Sequence, residues 1–281
     1  MQSTATIAGL FGSTRVQASW ASDTGAVRAI NEDSVLVHGP VFLVADGMGG
    51  HNAGDQASQA VRATFETTFA ADMPGTTDEV LAAIRTGNEA VRAISAGAEG
   101  RGLSGTTLSG IALVTAGEAG ALHWMAFNIG DSRVYSWDGR HLAQLSVDHS
   151  AVQELVDAGV ITLEESVLHP DRNIITRAIG ATETVDADIW FFPASRRQSF
   201  LICSDGLTKE VDDDRIAEIL AGHVDVGGVS IADALVAEAL AAGGRDNVTV
   251  VVVEAETTGA ASDDEDTLDR LPVFEDTLPR S

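Results

Sequence analysis

Aspartates recur in this sequence at the ends of apolar runs, where a chain can present a carboxylate at a sheet edge. Asp46 and Asp205 each come at the end of such a run and precede a glycine. Asp131 follows another run, Asp246 comes shortly before one, and the acidic pair at 32–33 precedes a third. Each position is also typical of an ordinary turn, because Asp and Gly favour turns through their own backbone chemistry.

Taken together, these carboxylates indicate a metal site. Several uncompensated carboxylates at one edge repel each other and are driven to take up protons unless a cation neutralises them. The sequence has a single cysteine, Cys203, and no histidine pair at metal-binding spacing. Oxygen ligands favour Mg²⁺ or Mn²⁺ over zinc. Glycine after Asp46 also permits a backbone carbonyl to approach an ion.

Hydropathy patterns predict the elements that position these residues. Short β-branched runs predict strands over 34–37, 41–45, 108–114, 122–129, 133–137, 188–192, 200–203 and 248–254. Helical periodicity predicts helices over 55–70, 78–95, 150–158, 214–221 and 231–242. Thr76 and Glu79 have the spacing of a capping box before the second helix. Consecutive strands followed by a helix pair favour antiparallel sheets covered by helices over a doubly wound parallel sheet.

The composition argues against several other classes of protein. The net charge of −25, from 17 basic and 42 acidic residues, opposes binding to nucleic acid or to an anionic membrane surface. No apolar run reaches the roughly 20 residues that span a bilayer. Together with the single cysteine, this predicts a cytoplasmic protein with no nucleic-acid or membrane partner. Lys209 is the only lysine, which we attribute to GC-rich coding and not to chemistry.

Eight short motifs, in order along the chain, resemble the bacterial members of the metal-dependent protein phosphatase family of type 2C. They are SDTG at 22–25, RAINEDS at 28–34, DGMGGH at 46–51, SGTT at 104–107, GDSR at 130–133, DHS at 148–150, SDGL at 204–207 and RDN at 245–247. Any one motif is weak, whereas the ordered set, which covers about 16–254, is specific.

The resemblance implies a fold and an activity. The fold is a four-layer αββα sandwich of two antiparallel β-sheets flanked by helices, with two Mn²⁺ or Mg²⁺ ions at one edge. The activity is that of a protein serine/threonine phosphatase, which hydrolyses phosphoserine and phosphothreonine by attack of a metal-bridging water or hydroxide and opposes bacterial Ser/Thr kinases. The expected partners are phosphorylated proteins, either those kinases or their substrates.

Residue roles follow from the same resemblance. Asp46 would bridge the two ions, Gly47 would offer its carbonyl to one, and Asp205 and Asp246 would hold the other. Asp131 would hold a third, weaker ion that Asp205 would share.

Further residues would bind water and substrate. Glu32 and Asp33 would bind metal-bound water, and Arg28 would clamp the substrate phosphate. Met48 stands where many eukaryotic relatives have a histidine proposed as general acid. The proton for the leaving group must then come from metal-bound water, from His51 or from His149.

The resemblance also divides the chain. We expect an N-terminal extension over 1–15, a catalytic domain over 16–254 with a flap at about 144–180, and a disordered acidic tail over 255–281. The tail repeats EDTL, either by chance or because Thr267 and Thr277 are phosphorylated and bound by a phosphothreonine-binding domain.

The alternative function is a non-catalytic type 2C-like domain that only binds a regulatory partner. Such a domain would have lost a metal carboxylate, and none of the expected carboxylates is missing.

Overall fold

The structure is a computed structural model of the 281-residue chain that describes residues 1–9, 12–49, 53–97, 104–116, 120–195, 197–223 and 228–258. The strands in these ranges are β1 (Gln2–Gly9), β2 (Gly12–Asp23), β3 (Asp33–His38), β4 (Val41–Met48), β5 (Gly75–Thr76), β6 (Gly105–Thr106), β7 (Leu108–Ala116), β8 (Ala121–Ile129), β9 (Arg133–Trp137), β10 (Leu142–Gln144), β11 (Asp188–Pro193), β12 (Arg197–Cys203) and β13 (Val248–Thr258). The helices are α1 (Ala53–Thr68), α2 (Thr77–Gly97), α3 (Ala151–Asp157), α4 (Leu163–Ser166), α5 (Asp205–Thr208), α6 (Asp213–Gly222) and α7 (Ile231–Ala242).

The strands form two sheets. The first has the order β1-β2-β13-β12-β9-β10, and all neighbouring strands in it are antiparallel. The second has the antiparallel order β11-β8-β7-β4-β3. Two-residue strands extend the second sheet, with β5 parallel to β7 and β6 antiparallel to β4.

Side chains that alternate between the two faces of a strand explain why the two sheets pack face to face. In β13, Val251 and Val253 belong to the core between the sheets, whereas Val250 and Val252 belong to the core beneath α6 and α7. Successive side chains of a strand point to opposite faces, so a continuous valine run supplies two cores at once. Both faces of the first sheet are therefore covered.

Helices α1 and α2 cover the outer face of the second sheet. Phe65 of α1 is fully buried there and stacks on Phe69 and Phe127, with ring centroids 6.0 and 5.6 Å away. The sandwich thus has four layers, helix, sheet, sheet and helix, which confirms the expected αββα class. The capping box of Thr76 and Glu79 is also present at the start of α2.

Two expected boundaries differ from the structure. Residues 1–15 are not an extension, because they form β1 and the start of β2, and Ile7 is buried between the sheets. The tail does not start at 255, because β13 continues to Thr258, with Ala255 and Thr257 buried against β2. Thr267 and Thr277 lie outside the described residues.

Within the described ranges, no helix combines the length and the apolar character needed to cross a membrane.

Replacing Phe65 with alanine tests the packing of α1 on the second sheet. We expect Phe65→Ala to lower the free energy of unfolding by about 3–5 kcal/mol, because the buried ring leaves a cavity. Urea unfolding measures this change. The control is Glu66→Ala, whose exposed ion pair with Arg62 contributes about 0.5 kcal/mol. Equal losses for the two variants would contradict this account of the core.

Candidate metal and active site

The candidate site residues lie at one end of the sandwich, where strands of both sheets end. Asp33 of β3 and Asp46 of β4 are cross-strand partners in the second sheet. Asp205 starts α5 just after β12 of the first sheet, Asp246 precedes β13, and Asp131 lies between β8 and β9. The charges of the other four all act on Asp46, so five carboxylates from distant parts of the chain occupy one region.

Burial and mutual repulsion dominate the electrostatics of this region. Burial, and then the charges of Asp33, Asp205 and Asp131, raise the pKa of Asp46 well above its usual range. Burial raises the pKa of Asp33 to about 7, although hydrogen bonds from Thr249 and Ser204 oppose the shift. Burial followed by the charge of Asp205 raises the pKa of Asp131 to about 7. The folded chain therefore disfavours the ionised carboxylates unless a cation is nearby.

Several of these carboxylates have an oxygen without a partner. Oδ1 of Asp33, Oδ1 of Asp131 and Oδ1 of Asp205 are buried and accept no hydrogen bond from the described residues. A buried, unpaired carboxylate oxygen is costly, and a divalent cation supplies the missing partner. The oxygen-only donor set and its unpaired atoms fit Mg²⁺ or Mn²⁺.

Two basic side chains already hold part of this carboxylate set. Arg28 binds Asp246 through two nitrogens at 2.9 Å, and Nζ of Lys209 contacts Oδ2 of Asp205. In the described part of the chain, no three Asp, Glu, His or Cys side chains stand close enough to hold one ion as they are. A metal ion at this edge would therefore require the Asp246 carboxylate to turn from Arg28, which binds both of its oxygens, whereas Asp205 keeps one unpaired oxygen beside Lys209.

Glu32 and Gly47 lie where the loop before β3 meets the first turn of α1. The amide of Gly47 donates to the Glu32 carbonyl at 3.2 Å. A Cβ at Gly47 would lie 2.2 Å from the Gly54 carbonyl oxygen, so only glycine permits this approach. A Cβ at Gly54 would lie 2.6 Å from the carboxylate of Glu32. Burial raises the pKa of that carboxylate.

Two threonines of the SGTT motif hold the backbone of Asp46. Thr107 accepts the Asp46 N–H on its hydroxyl at 2.9 Å, and its own N–H donates to the Asp46 carbonyl at 2.9 Å. The hydroxyl of Thr106 donates to the same carbonyl, also at 2.9 Å. The motif could be read from the sequence, but its structural role could not, because residues 106–107 meet Asp46 only through sheet pairing.

Asn247 and Ser204 join the loops that carry the acids. The Asn247 side chain accepts from the Glu32 N–H and donates to the carbonyls of Thr24 and Ile30, each at 2.9 Å. The hydroxyl of Ser204 donates to Asp33 at 2.8 Å and so connects the two sheets. In the sequence, Ser204 directly precedes Asp205 and Asn247 directly follows Asp246. Their positions next to predicted ligands are the sequence feature that indicates a role at the site.

The expected proton donor His51 lies outside the described residues. His149 is buried, and its Nδ1 accepts the backbone N–H of Gly130 at 3.0 Å. Its Nε2 lies 3.3 Å from Oδ2 of Asp188 in β11. His149 therefore connects the loop after β8 to strand β11.

The segment expected to be a flap contains α3 and α4 and returns to the sheet beside Asp46. Ile179 exchanges two backbone hydrogen bonds with Thr106, at 3.1 and 2.9 Å. Apolar side chains of the segment are largely exposed, among them Val167 and Leu168. The end of the segment is therefore held by the same strand pair that holds Asp46.

Comparison with known proteins decides the family. The family model described as Protein phosphatase 2C matches residues 28–241. The chain belongs to the protein phosphatase 2C family. The serine/threonine phosphatase stp of Listeria monocytogenes is 36% identical over 256 residues, which cover 88% of this chain and 99% of that protein. The serine/threonine protein phosphatase PstP of Mycobacterium tuberculosis is 41% identical over 238 residues, which cover 83% of this chain and 44% of that protein.

A solved structure extends the comparison to the fold. The catalytic domain of PstP in complex with two manganese ions has a TM-score of 0.73 and 36% identity to this chain, covering 87% of it and 99% of that domain. The expected fold and the enzyme class, a protein serine/threonine phosphatase, are thereby confirmed. Protein phosphatase 2C enzymes are metal-dependent.

The raised pKa of Asp131 predicts how the stability of this chain, when it is free of metal, varies with pH. Its folded value of about 7 exceeds the usual 3.8, so Asp131 stabilises the fold fully below pH 3.8 and loses that contribution as the pH rises through 7. Asp131→Asn removes this dependence. We therefore compare the unfolding free energy of the variant with that of the unaltered chain at each pH. The difference, variant minus unaltered chain, should rise by about 2–4 kcal/mol between pH 4 and pH 8.

Urea unfolding in EDTA at several pH values between these limits measures the difference between the two chains. The comparison cancels other titrating groups, including Asp188, whose pKa is lowered to about 2 by hydrogen bonds that outweigh burial. Parallel pH profiles for the two proteins would show that Asp131 is not held in an unfavourable ionised state.

Proposed function

We propose that this chain hydrolyses phosphoserine and phosphothreonine in proteins at the carboxylate cluster between the two sheets, and that it opposes Ser/Thr kinases. The single observation that carries the proposal is the cluster itself, in which buried acids with unpaired oxygens come from both sheets. Such a cluster is electrostatically unfavourable without divalent cations, and the family to which the chain belongs is metal-dependent.

Asp46, Asp205 and Asp246, with the carbonyl of Gly47, would hold two Mn²⁺ or Mg²⁺ ions. When bound, the ions supply an activated water and neutralise charge on the phosphoryl oxygens. The backbone of Asp46 is held by Thr106 and Thr107, so its carboxylate is presented from a rigid strand. The reaction adds water to the phosphorus and releases the serine or threonine hydroxyl and inorganic phosphate.

Glu32 and Asp33 would orient water beside the cluster. Asp33 has one oxygen bonded to Ser204 and the other unpaired, so it can accept a hydrogen bond from a water molecule. Glu32 is held through its backbone by Asn247 and Ser58, at 2.9 and 2.6 Å. Its position is therefore set by neighbours that do not use its carboxylate.

Arg28 would bind the substrate phosphate. Its side chain is 51% exposed and its guanidinium already forms a two-point contact with the Asp246 carboxylate. The same planar fork matches two oxygens of a phosphate. If Asp246 turns to a metal ion, Arg28 gains a free fork at the mouth of the site.

The proposal places the protein in the cytoplasm, because its single cysteine, Cys203, cannot form an internal disulfide. His51 remains the proposed proton donor, with metal-bound water as the alternative.

Asp46→Asn tests the site. We expect its rate on a phosphothreonine peptide with Mn²⁺ to fall at least about a hundredfold, because a carboxylate that would hold the ions is lost. The fold should persist, since the amide removes a buried negative charge that its neighbours repel. The control is Asp72→Asn, an exposed residue in the turn after α1.

Circular dichroism and initial rates measure fold and activity in parallel. An active Asp46→Asn protein would place the chemistry elsewhere. If the unaltered chain shows no turnover at any Mn²⁺ concentration, the alternative function, a non-catalytic domain that binds a regulatory partner, is favoured.

Arg28→Ala should raise the KM for a phosphopeptide by roughly tenfold, because a two-point contact to phosphate is lost. The KM of Arg28→Lys should lie between those of the unaltered chain and Arg28→Ala, since an ammonium is a point charge without the planar fork of a guanidinium. Steady-state kinetics gives KM and kcat for each. The control is Arg62→Ala, an arginine on α1 whose partner is Glu66. Unaltered kinetic constants in both Arg28 variants would exclude the clamp.

A further inference from the structure

Lys209 places a positive charge inside the carboxylate cluster. It follows the single-turn helix α5, and its N–H donates to the Asp205 carbonyl at 2.8 Å. That turn puts residues 205 and 209 on the same face, four positions apart. The Lys209 ammonium contacts Oδ2 of Asp205, whose other oxygen is buried and unpaired.

The same ammonium also acts on Asp131. Asp131 is 7% exposed and Asp205 is 8% exposed, so both carboxylates have little solvent to screen them. The positive charge of Lys209 attracts the Asp131 carboxylate, whereas the negative charge of Asp205 repels it. Asp131, Asp205 and Lys209 are therefore one electrostatic unit of two acids and one base.

Asp131 and Asp205 are also the two side chains that the family resemblance assigns to a third, weaker ion. A divalent ion there would face an ammonium that attracts the same oxygens and repels the ion. The Lys209 side chain is 36% exposed, so its flexible stem reaches the cluster from the solvent side.

We propose that Lys209 serves in place of the third metal ion: its ammonium offsets one of the two negative charges of Asp131 and Asp205, and the phosphatase binds two divalent ions. The inference uses the metal site of the proposed function, but its test counts bound ions and does not depend on turnover. It assigns chemistry to the chain's only lysine, which composition alone attributes to coding bias.

Titration of Mn²⁺ into the metal-free full chain tests the inference, with isothermal calorimetry for affinity and electron paramagnetic resonance for free Mn²⁺. The unaltered protein should bind two ions, and Lys209→Met should bind three. Any binding of a third Mn²⁺ ion by the unaltered protein should be at least about tenfold weaker than in Lys209→Met. Lys209→Arg keeps the positive charge and should resemble the unaltered protein.

Two further variants show where the additional ion binds. The double variant Lys209→Met with Asp131→Asn should return to two ions, because one carboxylate of the pair is lost. Arg215→Met is the charge-matched control, since it removes one positive charge from an arginine that pairs with Glu218 and Glu238 on α6 and α7. It should leave the number of bound ions unchanged.

Three outcomes overturn the proposal. A third ion bound equally well with and without Lys209 shows that the ammonium does not compete, and two ions in every variant show that Asp131 and Asp205 hold none. Either result leaves the metal centre of the proposed function intact. Failure of all the variants and of the unaltered chain to bind Mn²⁺ would overturn the metal centre of the proposed function as well.

Discussion

Burial of several carboxylates close to one another, with the repulsion between them, is the constraint on which the rest of this structure depends. Asp33, Asp46 and Asp131 are all held where their ionised forms are disfavoured, and the raised pKa values of Asp33 and Asp131, about 7, express that cost. Packing of three cores stabilises the sandwich enough to tolerate it. In the proposed function, hard divalent cations would offset this cost.

Neutral donors hold the acids without neutralising them. Thr106 and Thr107 bind the backbone of Asp46, Asn247 binds the backbone around Glu32, and Ser204 binds one oxygen of Asp33. Most of these bonds go to backbone atoms, so they leave the carboxylate of Asp46 and one carboxylate oxygen of Asp33 available to other partners. The arrangement separates positioning from charge, which is what a preorganised metal site requires.

Basic residues supply the opposite charge at two points of the cluster. Arg28 holds Asp246 from the exposed side, and Lys209 holds Asp205 from the end of α5. These ion pairs involve carboxylates that are proposed to hold the metal ions, so a bound cation would compete with Arg28 and Lys209 for the same oxygens. In the proposed function, the affinity for metal would therefore depend on Arg28 and Lys209 as well as on the ligands.

Local patterns were enough to predict most strands and helices, the two covered antiparallel sheets and the acids of the site, because period, turn chemistry and motif order are properties of neighbouring residues. Strands β1 and β2 escaped prediction, since their sequences mix polar and apolar residues and are ordered by pairing with each other and, for β2, with β13. Only the tertiary structure showed that Asn247 ties Glu32 to residues 24 and 30 and that Lys209 lies against Asp205 and acts on Asp131. Those contacts join atoms whose proximity is decided by sheet packing, and no local periodicity encodes it.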